Sequence, residues 1–170
     1  MQSAQIRKLT LTAILIAFVF LLGLTPIGMI PLGFINVTIL VVPVVIGTIM
    51  LGLTPGLMIG FFFGSASLMS VLGLSMTPPS ALAGTLLASS PILTVIMCYL
   101  PRLLIPVMVH LSYQALTKAG RKRLALPVAA AVGSLTNTVF YLGLMYLFYR
   151  FASLDASRIV NLILGTGFIA

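Results

Sequence analysis

Apolar residues run along this chain in long blocks, broken where glycine, proline or a few polar residues cluster. A helix needs about 20 residues to cross a bilayer's hydrocarbon, and Gly/Pro clusters mark where crossings end. The first predicted span covers Leu9 to Leu24, ending at Thr25-Pro26 and a Gly/Pro-rich link through Gly33. The second covers Ile35 to Leu53, with Thr54-Pro55-Gly56 as a tight turn, and the third covers Gly56 to Leu74. Ser75 to Ser90 contains Thr77-Pro78-Pro79-Ser80 and many small polar residues, a pattern that predicts a loop. The fourth span covers Pro91 to Thr117 and the fifth Leu124 to Phe151. After a polar link from Ala152 to Arg158, a sixth apolar segment starts near Ile159 and is still apolar at Ala170, predicting a sixth helix cut short there. No block alternates with period two, so the crossings are helices and not barrel strands.

The few charges then orient the bundle. Arg7 and Lys8 precede the first span, and Lys118, Arg121, Lys122 and Arg123 lie between the fourth and fifth. Four spans separate these groups, so both fall on one side, which the positive-inside tendency makes cytoplasmic. Arg150 and Arg158 fall on the outer side. The expected fold class is an all-α integral membrane protein: one domain over residues 1–170, six transmembrane helices and both termini cytoplasmic. The loop at Ser75 to Ser90 then faces outward.

Composition narrows the function. With 61% hydrophobic residues, 6% charged residues and a mean hydropathy of +1.27, the chain exceeds what a water-soluble core needs. The first block is too long and too rich in Leu, Ile and Phe for a cleaved leader, and is read as a retained span. The net charge of +8 is topological in its placement, so it does not point to nucleic acid, though the basic run can also touch anionic lipid or a partner. Asp155 is the sole acid and there is no Glu, which removes the usual membrane carboxylate that relays protons. No phosphate-binding loop, paired acids, zinc-ligand set or Ser/His arrangement is present, so the expectation is no enzyme, no metal and no cofactor. Cys98, alone in an apolar run, is read as packing.

Arg102 is the main candidate for chemistry. It lies about eleven residues into the fourth span, deep at about 1.5 Å per residue, where a cation costs about 2.5–3.5 kcal/mol and must face a polar cavity or partner. Three readings stand: contact with a ligand carboxylate, which a guanidinium forks onto well; anchoring on backbone carbonyls, which Pro101 and Pro106 each free one turn earlier; or snorkelling to the outer surface. Cys98, Pro106, Val109 and Tyr113 share its helix face, and His110 points about 80° away as a solitary histidine. In the fifth span Ser134, Asn137 and Tyr141 form a polar stripe suited to a ligand's amide or hydroxyls, or to a neighbouring helix. Asn36, at the outer start of the second span, either lines the same cavity or caps the helix. Gly56, Gly60 and Gly64 make a close-packing face on the third span, and Ala13 and Ala17 a similar one on the first.

Six short-looped helices, Ala13-x-x-x-Ala17, Val42-Pro43-Val44-Val45-Ile46-Gly47 leading to Leu51-Gly52-Leu53-Thr54-Pro55-Gly56, and Leu100-Pro101-Arg102-Leu103-Leu104 together resemble an S component. S components are the substrate-binding subunits of energy-coupling factor (ECF) vitamin transporters, and within them this chain is most similar to the pantothenate-specific members. The resemblance implies capture of a vitamin, with pantothenate as the nearest match, in an outward-facing cavity of a bacterial cell membrane. It also implies partners: a transmembrane coupling protein, docked on Ala13 and Ala17, and two ATP-binding-cassette ATPases that supply the energy. The subunit then topples to deliver substrate inward, Ser75 to Ser90 serves as a gate, and Arg102 contacts the ligand carboxylate. Asn137 and Tyr141, from their facing and polarity, are assigned to its amide and hydroxyls. The competing expectation is a self-sufficient homo-oligomeric transporter or facilitator of another small organic anion, and a third is a scaffold subunit with no ligand.

Overall fold

The computed structural model describes residues 2–31, 36–76 and 78–151. Six helices occur in this part: α1 (Gln2–Leu24), α2 (Val41–Leu51), α3 (Leu53–Val71), α4 (Ala81–Ser89), α5 (Pro91–Lys118) and α6 (Lys122–Phe151). Two short strands, β1 (Met29–Pro31) and β2 (Asn36–Thr38), pair antiparallel with Met29 opposite Thr38 and Pro31 opposite Asn36. Four helices, α1, α3, α5 and α6, are long and apolar enough to cross a membrane. The expected sixth span lies outside the described residues, as do Asp155 and Arg158.

Three sequence expectations change. The second span was expected from Ile35 to Leu53, but its start is strand and turn, and α2 has only 11 residues. At about 1.5 Å per residue α2 is about 16 Å long, half the roughly 30 Å of a hydrocarbon core. Val37, Thr38 and Ile39 are consecutive β-branched residues, which favour extended backbone, and the Ile39 N–H continues the hairpin by donating to the Gly28 carbonyl at 3.0 Å. The turn expected at Thr54-Pro55-Gly56 sits instead at Gly52, whose φ of 97° suits glycine. Pro55 is thereby placed in the first turn of α3, where its missing N–H has no intrahelical partner to lose.

The third change concerns Ser75 to Ser90, expected as a loop. Its second half is α4, a helix written in Ala and Leu, both strong helix formers. Leu82, Ala83 and Leu86 of α4 are buried against Met97 of α5 and Met145, Phe148 and Tyr149 of α6, forming a small second core. The Tyr149 hydroxyl donates to the Leu82 carbonyl at 2.7 Å and also meets Thr85, pinning α4 to α6.

The principal core joins Val19 of α1, Val44 and Val45 of α2, Ile59, Phe63 and Ala66 of α3, Ile105 and Val109 of α5 and Ala129 of α6. The glycine face of α3 packs closely on α5. A Cβ built on Gly60 would lie 2.7 Å from the Arg102 carbonyl oxygen, and one on Gly64 2.8 Å from the Tyr99 ring. Only glycine lets these two backbones meet at this separation. Large apolar side chains such as Ile14, Phe18, Val139 and Phe140 remain exposed on the outer helix faces, as a lipid-facing surface requires.

Candidate functional site

The site begins with two prolines inside α5. Pro101 has no N–H to give the Met97 carbonyl one turn earlier, and the Arg102 side chain takes up that carbonyl instead: Nη1 donates to Met97 O at 2.9 Å. Pro106 likewise frees the carbonyl of Arg102 itself, the oxygen that faces Gly60. The sequence thus writes the anchor and the residue it anchors in one segment, Pro101-Arg102.

Arg102 is only 5% exposed. Its Nη2 donates to the Ser67 hydroxyl of α3 at 3.2 Å. The guanidinium carbon lies 4.7 Å from the centroid of the Tyr141 ring and 5.3 Å from that of Phe63, within the range of cation–π attraction. Carbonyl, hydroxyl and two rings therefore stabilise the buried cation, yet none supplies a negative charge. Nε is buried with no hydrogen-bond partner.

Arg102 faces a cavity of about 50 Å³ lined by Ser67, Ser70 and Val71 of α3, Cys98 of α5, Asn137 and Tyr141 of α6, Thr38 of β2, and Ser80 at the start of α4. Asn137 contributes a carboxamide oxygen that is buried and also unpartnered. The Tyr141 hydroxyl is hydrogen-bonded to Ser80, and Ser75 donates to Ser70 at 3.2 Å. The lining of one small volume thus includes an arginine whose Nε lacks an acceptor, an asparagine whose amide oxygen lacks a donor, and a set of hydroxyls. Unpaired buried polar groups cost about 1–3 kcal/mol each, so a hydrogen-bond partner for either atom would be stabilising.

Three of the residues singled out in the sequence, Arg102, Asn137 and Tyr141, thus come together on this cavity. Ser134 does not join them: it is exposed on α6, two turns nearer the α5–α6 turn than Tyr141. At its level α6 meets the bundle through Gly133, packed on Val109 and Val45. Asn36 is placed by its backbone in β2, two residues before Thr38. Ala13 and Ala17 are exposed on α1, whose opposite side packs through Val19 and Gly23, the latter close to Ala66. His110 pairs with Gln114 on its own helix at 2.9 Å. Among the described residues no three His, Cys, Asp or Glu side chains gather as a metal site.

Ser67, Ser70, Ser80 and Thr38 were not singled out from sequence. A signal for Ser67 was present, because the glycine face read at positions 56, 60 and 64 continues through it one turn later. Ser80 and Thr38 arrive from other elements and carry no such periodic mark.

A family model described as "ECF transporter, substrate-specific component" matches residues 7–170. No curated protein matches the chain. The chain belongs to this family: it is a substrate-specific membrane subunit of an ECF transporter, working in a complex with other subunits, and not an enzyme.

Proposed function

We propose that this S component captures pantothenate at the outer face of a bacterial plasma membrane and hands it inward through a transmembrane coupling protein, with ATP hydrolysed by two ATP-binding-cassette subunits. The observation that carries this reading is that Arg102 and Asn137, each with a buried unpartnered polar atom (Nε and Oδ1), line one hydroxyl-rich cavity. Pantothenate has a carboxylate for the guanidinium, an amide N–H for the Asn137 oxygen, and two hydroxyls for the Ser67, Ser70, Ser80 and Tyr141 group. A chain with one acid in its whole sequence receives from such a ligand the negative charge its interior lacks.

A cavity of about 50 Å³ has room for a few waters, each needing roughly 10–15 Å³ by this measure, and a vitamin needs more. Capture therefore requires part of the wall to move. The stretch from Ser75 to Ser90, including α4, is the proposed cover. Ser80 reaches the cavity from it, and the contacts of Tyr141 with Ser80 and of Tyr149 with Leu82 are the ones released on opening. Ala13 and Ala17, exposed and small, are the proposed seat of the coupling protein.

Native mass spectrometry of the purified chain tests the reading directly. The expected result is a co-bound molecule of pantothenate's mass; a tightly held ligand without a carboxylate would remove it. Ala13→Leu with Ala17→Leu is expected to leave ligand affinity within about twofold, since both residues are exposed and neither lines the cavity, while abolishing copurification of the coupling protein. Loss of ligand binding in that variant would show instead that these alanines support the fold.

A further inference from the structure

We infer that the turn joining α5 to α6 is a binding site for the phosphate of an anionic phospholipid. Lys118, Arg121, Lys122 and Arg123 are all exposed there, and residues Gly120 to Leu124 line an open concavity of about 600 Å³. No carboxylate occurs before Asp155, which follows the far end of α6, so no acid within the turn neutralises these cations. Arg121 precedes α6, and Lys122 and Arg123 open it with no acid in the first turn. Cations there oppose the positive end of the helix dipole, and an anion at that place relieves them.

Backbone hydrogen bonds fix the path of the turn, so its basic residues start from neighbouring backbone positions. Gly120, at φ 76°, donates to the Thr117 carbonyl at 3.2 Å and Arg121 donates to the Leu116 carbonyl at 3.0 Å. This pair of bonds closes a helix with a left-handed residue after its cap. Leu124 N–H then donates to the Arg121 carbonyl at 3.1 Å, starting α6 at once.

Depth and wall chemistry select a lipid over a soluble anion or a cytosolic macromolecule. With 28 and 30 residues, α5 and α6 are about 42 and 45 Å long at 1.5 Å per residue. A bilayer is about 40–45 Å thick including its headgroups and about 30 Å without them. The turn therefore sits in the headgroup layer and not beyond it. Leu124, half exposed, walls the concavity beside Arg123, which offers an apolar edge to glycerol and the first acyl carbons while the guanidinium groups fork onto phosphate oxygens. A second concavity at the same end, with Arg7, Lys8, Leu11, Met50 and Leu51, has two lining cations against three in the first and serves as the comparison. The inference is independent of which vitamin the buried cavity takes.

The test uses the full chain in detergent, with dioleoyl phosphatidylglycerol or dioleoyl phosphatidylcholine added at equal concentration and retained lipid counted by native mass spectrometry. Wild-type protein is expected to retain the glycerol lipid at least tenfold more than the choline lipid. Arg121→Gln with Lys122→Gln and Arg123→Gln is expected to bring that ratio below twofold, and Arg7→Gln with Lys8→Gln to lower it less than threefold. Equal retention of the two lipids by wild type would overturn the site without recourse to any variant. So would equal losses in the two variants, which would mean diffuse attraction, or inorganic phosphate held as strongly as the glycerol lipid, which would mean a free-anion site.

Discussion

α5 carries positive charge in two places, at Arg102 in its middle and at Lys118 where it enters the basic turn, and the two environments treat the same kind of charge in opposite ways. Arg102 is buried, and it is bonded to the Met97 carbonyl and Ser67 hydroxyl and flanked by two rings. The cations of the turn are exposed, and none has a protein acid beside it in the described residues. Removed from water, one cation needs a built surround and any anion it meets interacts strongly. In water, several cations are needed for a modest attraction that salt weakens. The buried site is therefore suited to specificity and the exposed one to adhesion to a charged surface.

The largest expected effect comes from removing the buried charge. Arg102→Ala is expected to weaken binding of a carboxylate ligand by about 2–5 kcal/mol, at least 30-fold, because the partner's charge is then left buried and unpaired; titration calorimetry reads it. Arg102→Lys is expected to recover only part of this, since an ammonium cannot reproduce the fork. Full recovery would mean that charge alone, and not the geometry fixed by Met97 and Ser67, sets the affinity.

Next comes the packing that holds Arg102 in place. Gly60→Ala sets a Cβ within 2.7 Å of the Arg102 carbonyl oxygen, so α3 and α5 must separate. Overpacking of this kind costs about 1–3 kcal/mol, seen as a lower thermal midpoint together with weaker ligand binding. An unchanged midpoint would show that the helices have slack at this contact.

Pro101→Ala separates stability from binding. The restored N–H competes with Arg102 for the Met97 carbonyl, so the guanidinium loses an anchoring bond worth about 1 kcal/mol, while the helix gains a hydrogen bond. Affinity for a carboxylate ligand is expected to fall about fivefold with no loss of thermal stability; a parallel fall of both would reduce Pro101 to a packing residue.

The smallest effect is that of salt, and it sharpens the contrast between the two regions. Raising ionic strength from 0.05 to 0.5 M, which shortens the screening length to a few ångströms by roughly the square root of concentration, is expected to release phosphatidylglycerol from the basic turn. Ligand affinity at the buried cavity is expected to stay within about twofold, because buried pairs are screened much less. A common salt dependence would mean that the ligand's charge is not buried at all.

Much of this was legible in the sequence because hydrocarbon imposes its own ruler. Apolar length placed α5 and α6 to within two residues and the end of α1 at Leu24, whereas α1 starts at Gln2, seven residues before the expected Leu9. Helical facing grouped Asn137 with Tyr141, though also with Ser134, which is exposed, and the two prolines pointed to the carbonyls they free. What escaped was decided by local backbone or by distant packing. The β-branched run at Val37 to Ile39 gave up helix for a hairpin, and Gly52 took the turn ascribed to Thr54-Pro55-Gly56. The serines and threonine around α4 masked an Ala/Leu helix whose burial depends on Met145, Phe148 and Tyr149, more than fifty residues later. The hydroxyls of Ser80 and Thr38 look no different in sequence from those of Thr136 or Thr48, which bond their own helix.

The most direct test varies the ligand's charge and the protein's together. Titrate wild type and Arg102→Ala with pantothenate and with the alcohol in which its carboxylate is replaced by a hydroxymethyl group. Wild type is expected to prefer the carboxylate by at least about 30-fold, about 2 kcal/mol, and the variant to bind the two within about threefold. Equal binding of both compounds by wild type, or a preference that survives in the variant, would contradict the assignment of Arg102 as the counter-charge of the ligand.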